Sequence, residues 1–566
     1  RIEQAATSDE KESKTTGGFH DWLFLFRATV QNGVCLSVKV GIDFGTTRIV
    51  VAAVDRGNYP LVNFDTPDGN SRDWFPPLFA VRGETRVYGW EAWMKQGQPE
   101  WTVVRSLKRC LKDAGPETRI EIAGQSLEVR QLLREMMAAL RLQLREHSTL
   151  RDDGNQPLEA MLGVPANANS NQRFLTTEAA RDAGFEVLGL LNEPSAAAVE
   201  FAHRDLVTRK RDSPGRLLVY DLGGGTFDAS LIELGDGEHS IVASDGIPNL
   251  GGDDFDEILG ELALDAADIS REHRDSLSAN EWFILVDECR EKKESLSPNT
   301  RKLNLDLDRV RPNWPEVSVN ASLFYDRCRS LIESTRSVVD DLLAAHPERP
   351  VESLYITGGG SELPPVARIL RENYGRRVRR SAYMRSATAI GLAVRADTRS
   401  GFTLRDRFMR NFGLWREADH GHGIIFDLVF PRGTELPGPK QPPLRSVRSY
   451  RPAHNIGHFR FLECARLAND GRPVGEITDW DDIRFPFDPD LQDRADLLGV
   501  SVMRTPATSN FLVEETYTCD SSGNLAVAIS NKSTGYEKKF RLGRWSEKQS
   551  KIKIMSSRTA KRVNSK

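Results

Sequence analysis

Val40-Gly41-Ile42-Asp43-Phe44-Gly45-Thr46-Thr47 and Val219-Tyr220-Asp221-Leu222-Gly223-Gly224-Gly225-Thr226-Phe227-Asp228 are two versions of one design, their first aspartates 178 positions apart (221 − 43). Each is an apolar strand that delivers an aspartate into a glycine turn bearing threonine. Each then leads into a second apolar run, Ile49 to Val54 and Ala229 to Leu234, so both read as hairpins. Glycine lets the backbone approach a polyanion and aim N–H groups at it. Threonine adds a hydroxyl donor, and aspartate holds Mg²⁺ through water or orients a water. One such turn alone would be an ordinary hairpin. Two facing each other would grip a nucleotide's phosphates from both sides. A Walker loop would need Gly-x-x-x-x-Gly-Lys-Ser/Thr, which is absent, and a dinucleotide-binding turn runs from strand into helix, unlike these.

A chain of 566 residues has room for two to four domains. Its 39% hydrophobic and 28% charged content is that of a globular protein, and a net charge of −4 gives no whole-chain attraction for nucleic acid or acidic membranes. The six cysteines are scattered without a Cys-x-x-Cys pair, which favours a reducing, cytoplasmic compartment and no zinc or disulfide framework. No apolar run is long enough to span a bilayer. Trp22 to Phe26 is stopped by Arg27 and lacks a cleavage site, so a signal peptide is not expected. Residues 1–37 read as a disordered or non-native extension and are excluded from the fold.

From Val38 to about Ala396, apolar strands alternate with helical patterns, the signature of an α/β domain. Val129, Leu132, Leu133, Met136, Met137, Leu140 and Leu144 form one helical stripe, read as core packing. Leu323 to Leu343 predicts a second long helix, stopped by Pro347. Between them, Met161 to Val164 reads as a strand, Asn171 to Ala183 as a helix, Val187 to Leu191 as a strand and Ser195 to His203 as a helix. Glu193 then stands just past a strand's carboxyl end, where open α/β sheets bind ligands. Alone it would be a helix-start carboxylate; beside two phosphate turns it is a catalytic candidate. Leu354 to Thr357 runs into Gly358-Gly359-Gly360-Ser361 and a helix from Pro365, the third glycine turn of the domain. After about residue 400 prolines cluster and helical stripes vanish. Leu525, Val527 and Ile529 alternate with small residues, predicting a small all-β module that ends near Trp545. Residues 546–566 read as a basic, solvated, disordered tail.

These residues carry a resemblance. The chain resembles the 70-kDa heat-shock chaperones (DnaK type) of the actin and sugar-kinase ATPase superfamily. The matching motifs are Gly41 to Thr47, Asn192-Glu193-Pro194-Ser195-Ala196-Ala197-Ala198, Asp221 to Asp228, and Leu250-Gly251-Gly252-Asp253-Asp254-Phe255-Asp256. The similarity runs over about 38 to 545, weakening after 400 and returning in Asp520 to Leu542. It implies an α/β, actin-like, two-lobed nucleotide-binding (ATPase) domain over 38–400 and a β-sandwich, peptide-binding-like domain over 401–545. The implied activity is that of an ATP-dependent molecular chaperone in protein folding and stress response. ATP with Mg²⁺ would be the cofactors, and extended or unfolded polypeptide, a J-domain co-chaperone and an exchange factor the partners, with no nucleic acid or membrane. By position, Asp43, Asp221 and Asp228 would hold Mg²⁺ and its waters, and Glu193 would help hold the attacking water or the Mg²⁺ hydration shell; Asp43, Glu193, Asp221 and Thr226 are the implied catalytic residues. Thr46, Thr47 and Thr226 would contact phosphates beside Gly45, Gly223, Gly224 and Gly225. Gly251, Gly252, Gly358, Gly359 and Gly360 would line the nucleotide, with Lys293 and Ser297 near ribose and adenine.

Four departures accompany the match. The family's catalytic lysine, counted four residues from a glycine matching Gly89, falls on Trp93, with Lys95 two residues on, which implies slow or absent turnover. Glu294, Arg290 and Arg385 change charge on the adenosine side, with Arg290 and Arg385 read as compensating each other. The linker, Phe402-Thr403-Leu404-Arg405-Asp406, is more polar than the family's, and the helical lid and acidic tail have no counterpart, which implies faster peptide release. The alternatives are an ATP-binding regulatory or scaffold protein with little or no hydrolysis, a sugar or acetate kinase, and an actin-like filament protein.

Overall fold

The computed structural model describes residues 37–542 apart from 106, 112–113, 116, 151–156, 167, 209–214, 236–237, 406, 439–440, 481, 495 and 522, together with the pair 552–553. The extension expected over 1–37 lies outside the described residues save for Ser37. So does the 546–566 tail, save for Ile552–Lys553, which runs parallel to Ile120 and Glu121.

The doubled motif becomes two sheets of like construction. Val38–Phe44 and Ile49–Ala53 pair as one antiparallel hairpin, with Asp43 opposite Val50. Gly215–Leu222 and Phe227–Leu234 pair as the other, with Asp221 opposite Asp228. Parallel strands extend each sheet on the far side of its first strand. In the first sheet these are Leu158–Val164 and Glu186–Asn192, joined by the helix Ser170–Asp182. In the second they are Ser353–Thr357 and Val378–Arg380, joined by the helix Pro364–Tyr374. Parallel neighbours need such crossovers, whereas a short turn closes a hairpin. The second sheet also gains Glu238–Ile247, antiparallel to Phe227–Leu234, and Thr403–Arg405, parallel to the start of Glu238–Ile247. The linker segment is therefore a sixth strand. Phe402 just before it is buried against the rings of His203 and His239, each centroid 5.7 Å away.

The central strands are apolar on both faces, as expected for strands covered on two sides. Val40, Ile42, Leu218, Val219 and Tyr220 are fully buried. The first sheet packs with Val129–Glu146, whose seven stripe residues are all buried. The second packs with Gly252–Ala266, Ala279–Glu294 and Ala321–Ala345. The helix expected from Ser195 starts two residues earlier, at Glu193, directly after the strand Glu186–Asn192. It runs beside the helix Ala387–Ala396, with Ala196, Ala197 and Ala198 fully buried.

A third apolar cluster belongs to the all-β module, where two sheets face each other. One contains Gly423–Phe430, Asn411–Ala418, Ile456–Leu467 and Pro473–Asp479 in that order; the other contains Leu444–Tyr450, Val513–Cys519, Leu525–Asn531 and Tyr536–Arg541. The alternation at Leu525 to Ile529 predicted a strand of an all-β module, and the β-sandwich-like architecture is the one the resemblance implied. It touches the α/β body directly: Arg432 donates to the Ser244 carbonyl at 3.0 Å, and Arg541 faces Glu178 at 3.8 Å. Among the described residues no helix is long and apolar enough to cross a membrane.

Close helix packing gives a direct test. A Cβ at Gly391 would stand 1.8 Å from the Ala196 carbonyl oxygen, which belongs to backbone and cannot swing aside. Gly391→Ala is expected to lower the unfolding free energy by about 3 kcal/mol, the upper range for overpacking. A chemical-denaturation midpoint indistinguishable from wild type would contradict the packing described.

Candidate active site

Both hairpins end at one cleft. Asp43, Gly45, Thr46 and Thr47 line it from the first sheet, and Asp221, Gly223, Gly224 and Thr226 from the second. The two turns interlock: a Cβ on Gly224 would lie 2.5 Å from Thr47 Cγ2. Thr357, Gly358, Gly359 and Gly360 complete the wall. Gly358 has φ of 87° and its absent Cβ would stand 2.3 Å from the Leu222 carbonyl, so only glycine fits there. Glu193, first residue of its helix, is buried in the same cleft.

The cleft contains a residue that the sequence analysis missed. Lys108, on the short helical turn Leu107–Cys110, is buried and pairs with Glu193 at 2.5 Å. Trp93 is no substitute for the cleft's lysine, because it stands elsewhere. It belongs to an aromatic cluster, 5.6 Å from Trp74 and 5.8 Å from Trp90 between ring centroids. Lys95 lies over the Trp101 ring at 5.3 Å and does not enter the cleft either. Counting from Gly89 failed because the strand Thr102–Val104 intervenes before the lysine arrives. The available signal was a lysine in Leu107-Lys108-Arg109, just after that strand.

The electrostatics are those of a site short of positive charge. Burial, then Glu193, raises the Asp43 carboxyl to about 7, with Lys108 acting the other way. Burial and Glu193 likewise raise Asp228 to about 7. Asp221 is held well above the usual carboxylate range by burial, Glu193, Asp228 and Asp43. Burial works against the charge on Lys108, yet Glu193 and Asp43 outweigh it and leave its pKa above normal.

The remaining expected residues divide. Lys293 lines the cleft, bonding Asp256 at 2.7 Å and the Gly252 carbonyl at 2.6 Å. Gly252 lines it too, whereas Gly225 and Gly251 pack against each other behind the turn: a Cβ on Gly251 would be 2.5 Å from Gly225 N. Ser297 is turned to solvent, its hydroxyl 3.0 Å from that of Thr300, and does not line the cleft. Asp228 borders the adjoining cavity. The proposed exchange between Arg290 and Arg385 is corrected. Arg385 pairs with Glu294 (3.0 Å) and Glu362, and Glu294 also takes Arg48. Arg290 instead faces Asp256 and Asp287, each at 3.8 Å.

Among the described residues no three acidic, histidine or cysteine side chains form a ready-made metal cage. The donor set is all oxygen and its carboxyls repel one another, which fits a hydrated Mg²⁺ arriving with phosphate oxygens. That chemistry has a consequence for the metal-free protein. A carboxyl whose folded pKa is about 7 and unfolded value near 3.8 contributes its full stability below pH 3.8 and loses it as pH rises through 7. In chelator, the wild type should lose stability between pH 4 and 7, and Asp43→Asn should flatten that slope. Urea midpoints across this window test it; parallel profiles for the two proteins would refute the assignment.

The family model for the Hsp70 protein matches residues 39–411, more than half of the chain. That span holds both hairpin turns, Lys108, Glu193, the Gly358 turn and the linker strand. The geometry of the cleft and this match agree, and the chain belongs to the Hsp70 protein family.

Proposed function

We propose that the chain is an ATP-dependent chaperone that binds and hydrolyses ATP to control its hold on extended polypeptide. The observation that carries this reading is the buried Lys108–Glu193 pair between two facing aspartate turns. Phosphoryl transfer to water needs positioning and charge neutralisation rather than covalent chemistry. Mg²⁺ would supply charge neutralisation at the phosphates, held through water by Asp43 and Asp221, with Asp228 behind them. Thr46, Thr47 and Thr226 would donate to phosphate oxygens. Glu193, fixed in place by Lys108, would orient the attacking water, and the Lys108 ammonium would face the charge that develops on the transferred group. Lys293 and the Gly358 turn would border the ribose.

The polypeptide would be held by the all-β module. Its edge strand Gly423–Phe430 carries Ile424 and Ile425, 62% and 54% exposed, the kind of open edge that an extended chain can extend by strand addition. We divide the molecule accordingly into an ATPase domain over 38–400 and a peptide-binding-like domain over 401–545. A cytoplasmic location, a role in stress response, and J-domain and exchange-factor partners belong to the same reading.

Steady-state turnover tests the core of this assignment. Lys108→Met is expected to lower the ATP hydrolysis rate about a hundred- to thousandfold, the usual cost of one preorganised donor. Nucleotide affinity should stay within a few fold, measured by calorimetry in excess magnesium. Unchanged turnover in this variant would sink the assignment. An extended apolar peptide should accelerate wild-type hydrolysis and leave the variant unaffected; no acceleration would separate the ATPase from the chaperone role.

A further inference from the structure

Behind the phosphate end of the cleft lies a second cavity of about 450 Å³. Its size is that of a small-molecule site, roughly 300–1,000 Å³. The strand end and loop from Ser244 to Asn249 line it from the α/β body, while Met409, Arg410, Arg432 and Arg466 line it from the β-module. Thr46, Lys108 and Thr226 border both this cavity and the nucleotide cleft.

Five cations line it, Lys108, Arg109, Arg410, Arg432 and Arg466, against the carboxylates Asp228, Asp245 and Asp341. Several of the cations are already engaged. Lys108 is held by Glu193, Arg410 faces Glu463 at 3.5 Å, and Arg109 faces Asp253 at 3.4 Å. Even so, Nε and Nη2 of Arg109 are buried without a hydrogen-bond acceptor. Arg432 donates to two carbonyls, Ser244 at 3.0 Å and Ala465 at 3.4 Å, which orient its guanidinium without neutralising it. Neither Arg432 nor Arg466 has a carboxylate partner among the described residues. The guanidinium fork suits phosphate oxygens, which accept two parallel N–H bonds from it.

We propose that this cavity is a second anion site, taking a small phosphate-type anion that is gripped by the α/β body and the β-module at once. Two sources share that chemistry: orthophosphate leaving the neighbouring cleft, and an oligophosphate from solution. A ligand held across both bodies stabilises the arrangement in which they touch, by an amount that grows with the logarithm of its concentration once above its Kd.

The test uses the full chain with its cleft saturated by ADP in excess magnesium, titrated calorimetrically with orthophosphate and, separately, with tripolyphosphate. One further equivalent of either probe is expected to bind. Arg432→Gln/Arg466→Gln should weaken that binding at least tenfold and leave ADP affinity unchanged. Uptake of orthophosphate assigns the site to product; uptake of tripolyphosphate alone assigns it to an oligophosphate. No uptake beyond the cleft, or uptake undiminished in the double variant, overturns the proposal. Both arginines are exposed, so the fold should survive, and circular dichroism verifies it. Should the cleft take no ADP, the chaperone reading falls, while the same titration without ADP still decides the cavity.

Discussion

Everything in this molecule is arranged around a shortage of positive charge at one place. Asp228 and Glu193 are buried and Asp43 and Asp221 half-buried beside them, with Lys108 as the cation that pairs with Glu193. Burying ionised carboxylates is costly unless each is paired. The fold meets the cost by over-determining the backbone that carries them. Each of the two leading aspartates is the penultimate residue of a largely apolar strand, each strand is locked in a hairpin, and glycines let the turns meet at distances no side chain would allow. A polar site on a rigid apolar support is what function demands of a scaffold that would otherwise discard it.

Much of this was legible because the decisive signals are local. The hairpins, the stripe from Val129 to Leu144 and the alternation at Leu525 to Ile529 each follow from spacing within one element. The two aspartate turns declared themselves by repetition. Lys108 did not, since its importance lies in meeting Glu193, 85 residues away, and no spacing rule reaches across a sheet. Counting from Gly89 assumed an intervening path that the chain does not follow. Ser297 was placed beside adenine by the resemblance alone; the turn after Glu294 directs its hydroxyl to Thr300, a local contact that no motif match reports.

The charge changes on the outer side of the cleft resolve into a chain rather than a swap. Arg48, from the turn of the first hairpin, meets Glu294 at the end of a helix packed on the second sheet; Glu294 meets Arg385, and Arg385 meets Glu362. Arg48 also lies over Trp74 at 4.9 Å, which fixes the direction of its guanidinium. The cleft is thereby bridged at its mouth by ion pairs from both halves of the α/β body. Partly exposed pairs of this kind weaken as salt rises.

The strand Glu238–Ile247 connects two distant parts of the molecule. At one end Ile247 pairs with Phe227, next to Thr226 of the second turn; at the other, Glu238 to Ser240 pair with the linker residues Thr403 to Arg405. Ten residues of extended chain span about 33 Å. Hydrogen bonds brace this strand against Phe227–Leu234, with one register shift between Leu231 and Ile232. The second aspartate turn and the segment leading into the β-module are thus tied to opposite ends of one strand.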